Sequence, residues 1–147
     1  MSRELSWRIG FAEFDRLVDR RLDEVQRGAA LLTAEAVKTG LPRFGLPGTP
    51  VDTSFARNSW RVGVNAAPAY GPSRNPNRKA PAPDVSLEPA LAVVTAGDEV
   101  IIGNNAEYIE PLEYGRSSQA PQGFVRLTVA AFPRIVNAVA RRLGVAR

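Results

Sequence analysis

Glu107, Glu110 and Glu113 recur at intervals of three in EYIEPLEYGRSSQAPQGFVRL (107–127), interleaved with Tyr108 and Tyr114 and followed by Arg116 and Arg126. On a helical turn, carboxylates three apart share a face. When one pKa is raised, such a pair can divide the work of general acid and general base, or the two together can hold magnesium. The opposite reading is an address: a stiff acidic and aromatic turn that meets another chain.

The rest of the sequence weighs against chemistry. There is no histidine and no cysteine, which removes the usual general base, the usual zinc ligands and any disulfide framework. No G-x-S-x-G elbow and no G-x-x-x-x-G-K-[ST] phosphate loop occurs, and the acids lack the spacing of a calcium loop. The expectation is therefore a non-enzyme with no catalytic residue, no bound metal and no cofactor. An acidic-site hydrolase is kept as the least favoured alternative.

Local chemistry suits a joint. Pro111 fits the first position of a short helical turn, Gly115 the left-handed residue that ends it, and Tyr108, Leu112 and Tyr114 are available for packing. SSQAPQ then reads as the cap of a last helix starting at Pro121. Charge gives that joint a possible use. Residues 85–115 hold six acids and no base, and residues 116–147 six arginines and no acid. Opposite blocks of this kind can fold on each other, or match between repeated subunits in the head-to-tail contacts that close rings.

Around the joint the chain predicts α+β. Phe14, Leu17, Val18, Leu22, Val25, Ala29, Leu32 and Ala36 recur at helical spacing, so a long amphipathic helix spans about 11–38, stopped by Gly40 and Pro42. It should pack along a sheet and project past it, or bend. Trp60, Val62 and Val64 alternate with Arg61, Gly63 and Asn65 as a half-buried strand does. A short helix capped by Asp84 or Ser86 presents Leu87, Leu91 and Val94 on one face and ends at Gly97. DEVIIGNN reads as a buried strand, antiparallel to 60–65. The last helix, 121–143, carries Phe124, Leu127, Ala131, Ile135 and Leu143 on one face, with a kink or break at Pro133. Residues 66–84, with five prolines and Arg74, Arg78 and Lys79, read as an exposed arm with little to offer a core. It is either a surface loop or a basic arm that orders on a neighbouring subunit or on DNA phosphate. At 147 residues and 44% hydrophobic composition, one domain covers 1–147. No apolar run reaches membrane-spanning length and the start lacks a secretory h-region, so the expected setting is a cytoplasm, with no membrane partner.

Five segments in order carry a resemblance: PVDTS (50–54), RNSW (57–60), GNN (103–105), AEYIEPLEYG (106–115) and APQGFVR (120–126). Together they resemble the small neck and tail-completion proteins of tailed bacteriophages, also described as head-tail joining, minor tail or minor capsid proteins. That family shows a PVDTG-x-L-R-x-S segment, then N-x-x-x-Y-A-x-x-x-E-Y-G, then a proline-led C-terminal helix. The resemblance covers about residues 10–140, and departs at Ser54, where the family usually has glycine, and in the length of the arm. It implies an α+β structural virion protein with a long helix on a small sheet, made in the host cytoplasm and located at the head-tail junction. Its implied partners are copies of itself in a ring, a hexamer or alternatively a dodecamer, the connector, the tail-terminator and tail-tube proteins, and genomic DNA in passage. The candidate contact residues are Tyr108, Glu110, Glu113, Tyr114, Arg116, Arg126 and Arg134, with Arg74, Arg78 and Lys79 on the arm. The alternative from another class is a nucleic-acid-binding accessory protein that uses the arm and the C-terminal arginines.

Overall fold

The computed structural model describes residues 11–76 and 83–146. Arg78 and Lys79 lie outside the described residues, as does the Phe14 side chain. The fold is α+β. Among the described residues five α-helices, α1 (Phe11–Lys38), α2 (Phe55–Asn58), α3 (Glu88–Leu91), α4 (Ile109–Glu113) and α5 (Val125–Arg142), surround a two-stranded antiparallel sheet of β1 (Trp60–Val64) and β2 (Val100–Asn104). The strands pair antiparallel as expected, in a register that runs from Trp60 opposite Asn104 to Val64 opposite Val100.

This register sorts the side chains by face. Trp60, Val62 and Val64 lie with Val100 and Ile102 on the inner face, over a core of Ala34, Val37, Leu87, Leu91, Val94, Ala120 and Phe124. The Trp60 and Phe124 rings meet edge to face at 6.5 Å between centroids, the geometry that ring quadrupoles favour. A second cluster joins α1 to α5 through Ala36, Ala131 and Ile135, with Leu46 from the turn after α1. The 28 residues of α1 make a rod of about 42 Å. Its body contacts begin near Asp23, and residues 16–22 are exposed, so the helix does project past the sheet.

Five local expectations need correction. β2 is half-buried at every position rather than buried, because a two-stranded sheet leaves part of its inner face uncovered. α3 is capped by neither Asp84 nor Ser86; its N-cap is Leu87, without a side-chain bond. α4 starts at Ile109, so Pro111 is its third residue and not its first; Gly115 does take the left-handed conformation, φ 89°. α5 starts at Val125 rather than Pro121 and runs undivided through Pro133. Pro133 is exposed and the residues around it remain helical, with packing from Ala131 and Ile135 holding both sides.

The fifth concerns the arm, which is exposed at most of its described positions as expected but whose first half is also docked on the sheet. Residues 66–70 cross the outer face of the sheet, where Arg61, Gly63, Ile101 and Gly103 alternate outward. A Cβ on Gly63 would stand 2.1 Å from the Ala66 carbonyl oxygen, and one on Gly103 2.1 Å from the Tyr70 hydroxyl. At Gly63 only glycine lets the strap's backbone lie this close, and at Gly103 the missing side chain leaves room for the Tyr70 hydroxyl. Pro68 is buried beneath it; Asn105 donates to Gly71 O at 2.7 Å, and the Glu107 N–H donates to Ser73 O at 3.0 Å. Arg74 then pairs with Glu107 at 2.5 Å, far out in solvent.

Candidate functional site

The joint is built around one carboxylate. Glu113 leaves the end of α4 and reaches the start of α5, where its Oε2 accepts from the N–H groups of Phe124 (2.8 Å) and Val125 (2.7 Å), and its Oε1 from the N–H of Arg126 (2.9 Å). These are the donors that a helix start leaves without a partner. Arg126 closes the arrangement: its Nε donates to the same Oε1 at 2.9 Å and its guanidinium to the Glu113 carbonyl at 3.0 Å. Burial pushes the Glu113 pKa up, but the N–H groups of Phe124, Arg126 and Val125 and the Arg126 side chain outweigh it and hold the carboxyl below its ordinary value. Glu113 is thus an ionised cap supplied from another helix. That is why α5 begins four residues later than its proline suggests.

The five motif segments meet here. Gln119 mimics a strand partner, accepting from Val51 N at 2.9 Å and donating to Val51 O at 2.8 Å, which ties the joint to the PVDTS loop. In that loop Ser54 has φ 63°, a left-handed conformation in a residue with a side chain. The turn forms although this chain has serine there. Just ahead of the loop, Thr49, fully buried, donates to Val37 O and accepts from the Trp60 indole N–H at 2.8 Å, linking the end of α1 to RNSW. Asn104 of GNN donates to Ala56 O at 2.7 Å and accepts from Ala106 N at 2.9 Å. Tyr108 packs on Phe55, ring centroids 6.2 Å apart. Its phenol pKa is raised, first by burial, with hydrogen bonding to Thr53 and Ala56 pulling the other way.

The candidate contact residues therefore divide. Tyr108 is half-buried in the joint, Glu113 and Arg126 are bonded to each other and to the backbone, and Arg134 donates to Phe44 O at 3.0 Å with its guanidinium 5.4 Å from the Phe44 ring. Glu110, Tyr114 and Arg116 face solvent, with Tyr114 68% exposed and Arg126 lying over its ring at 5.0 Å. Glu110 and Glu113 are not a carboxylate pair at one site: the first is exposed and the second is capped. Among the described residues, no group of three or more acids, histidines or cysteines could hold a metal ion, and no helix is long and apolar enough to cross a membrane.

Sequence reasoning missed Thr49, Gln119 and Asn104 as connectors, and the cap made by Glu113, because each acts across 11 to 68 positions with no local signature. Gly63 and Gly103, diagonal to each other on the outer face of the sheet, were a usable signal for the strap. Comparison of the chain with protein-family models, with curated proteins and with solved structures returns no match.

Proposed function

We propose that this protein is a structural subunit of a ring at the head-tail junction of a tailed bacteriophage, joining the connector to the tail tube and leaving a passage for DNA. The observation that carries this reading is the convergence of the motif segments. The five stretches that resemble neck and tail-completion proteins, far apart in sequence, are neighbours in a single joint, as they would be if they encode one shared scaffold. The α+β architecture with a long helix on a small sheet supports it further. On this reading the protein acts by shape and association rather than by catalysis. The joint fixes α5 against the sheet and presents Glu110, Tyr114 and Arg116 to a neighbouring chain.

A nucleic-acid-binding role is less favoured, because Arg74, Arg126 and Arg134 already hold Glu107, Glu113 and the Phe44 carbonyl. If it holds, the isolated protein binds duplex DNA with a steep dependence on salt. The junction role is tested by electron microscopy of particles assembled without this protein. Full heads beside unattached tails are expected; normally tailed particles would overturn the proposal.

A further inference from the structure

β2 has one partner strand and one open side. The Asn65 N–H donates to Glu99 O at 2.8 Å, which fixes the phase of the ladder. With Val64 opposite Val100, residues 99, 101 and 103 turn their N–H and C=O groups toward β1, and Val100, Ile102 and Asn104 turn theirs away. Among the described residues none of those six outward groups has a backbone partner. An unpaired edge of this kind is a template for another strand.

The edge also has a floor. Val100 and Ile102 line an open apolar groove of about 580 Å³ between α1, α5 and β2, with Leu22, Val25, Ala29 and Phe132 among its other walls. Its polar lining residues are turned to internal use: Gln26 donates to Asp98 O and accepts from Gly97 N, and Thr33 donates to Ala29 O. Edge and groove together form the seat for a third strand, with backbone groups to pair its ladder and a trough for every second side chain.

The chain carries a segment of that pattern. In LSWRI (5–9), ahead of α1 and outside the described residues, Leu5, Trp7 and Ile9 alternate with Ser6 and Arg8, the period of a strand with one apolar face. Its five residues match the five of β2. Reach decides which copy it serves. Gln26 holds the turn that leads into β2 and stands fifteen residues, about 22 Å, along α1 from Phe11. The four residues from Phe11 back to Trp7 span at most about 14 Å. The segment therefore cannot centre on its own β2, and α1, projecting past the sheet, carries it outward.

We infer that residues 5–9 of one copy add a third strand to the open edge of β2 in a second copy, with Leu5, Trp7 and Ile9 in the groove and Trp7 opposite Ile102. The contact is heterologous, segment onto edge, so each copy gives one strand and receives one, and the series continues until it closes. This deepens the ring reading and rests on its premise that copies of the chain associate. It assigns copy-to-copy contact to β2 and the groove, and leaves the exposed edge of the joint for the next component of the tail.

The test uses full-length chains. In sedimentation, wild type should associate as concentration rises, and Trp7→Glu (segment) and Phe132→Glu (groove) should each associate at least tenfold more weakly while unfolding cooperatively. Mixing the two variants should give a one-to-one pair, the intact segment of Phe132→Glu on the intact edge of Trp7→Glu. A synthetic peptide of residues 1–10 then reads the edge alone. Its tryptophan emission should shift to the blue on binding the Trp7→Glu chain, whose one remaining tryptophan, Trp60, is buried and gives a fixed background. The shift should be lost when that chain also carries Val100→Pro, which removes an outward N–H and no bond to β1. A monomeric wild type, association unchanged by Trp7→Glu, or a peptide that the Trp7→Glu chain does not bind would overturn the inference. Trp7→Glu and the peptide leave the described core untouched, so they decide the matter if Phe132→Glu or Val100→Pro fails to fold. Association that survives Trp7→Glu, in a protein whose absence leaves heads without tails, removes the added strand and keeps the ring; a bound peptide, in a protein whose absence leaves normally tailed particles, does the reverse.

Discussion

The joint and the α1–α5 edge use similar residues to opposite ends. In the joint an aromatic ring, Phe124, is fully buried against Trp60, and a glutamate, Glu113, accepts four hydrogen bonds. At the edge a second aromatic on the same helix, Phe132, is 44% exposed above a groove, and α1 carries leucine and valine into solvent. The motif-bearing part of the chain is thus largely bonded within itself, with Glu110 and Tyr114 left on its open edge, and the α1–α5 edge leaves apolar side chains in solvent. A dense motif here marks the scaffold.

The comparison is broken most strongly by two truncations on α5. Phe124→Ala should cost about 3–5 kcal/mol in urea unfolding, from lost burial and the cavity left behind, whereas Phe132→Ala should cost less than about 1 kcal/mol because its ring is already half in water. Equal losses would mean that the edge is as much core as the joint. Next, Glu113→Ala should cost about 2 kcal/mol, the loss of a charged cap with its donors left open at the head of α5. Its pH dependence has a definite sign. The folded pKa is depressed, so the contribution is present above the ordinary value of 4.5 and is lost as pH falls through the folded value. Stability of Glu113→Gln should therefore decline less steeply than wild type below pH 4.5; parallel curves would show that the cap is not ionised. Ser54→Gly should stabilise by about 1 kcal/mol, because glycine takes the left-handed conformation at φ 63° without a side-chain penalty. A destabilised variant would point to a role for the hydroxyl instead.

Much of the frame was legible in sequence because it rests on periodicity. The 3.6-residue recurrence of Leu22, Val25, Ala29 and Ala36 gave α1 its bounds, and the alternation at 60–65 with the apolar run at 100–102 gave both strands and their pairing. Connections made by single side chains were not legible. The start of α5 is set by Glu113 from eleven residues away, and Gln119 fastens a loop 68 residues back. The arm's exposure was legible but its docking was not, because proline excludes a ladder strand without excluding docking: the strap lies over the outer face of the sheet through Pro68 and Tyr70 and needs few ladder bonds. Of the glutamates, sequence placed Glu110 and Glu113 together as candidates, and only geometry separates the exposed one from the capping one.

That separation gives the most direct test of the account. Stability and tail attachment are to be measured on Glu110→Lys, which reverses a charge on the open edge of the joint. The account predicts unfolding within about 0.5 kcal/mol of wild type together with loss of tail attachment to filled heads. Normal attachment, or a stability loss as large as that of Glu113→Ala, would contradict it.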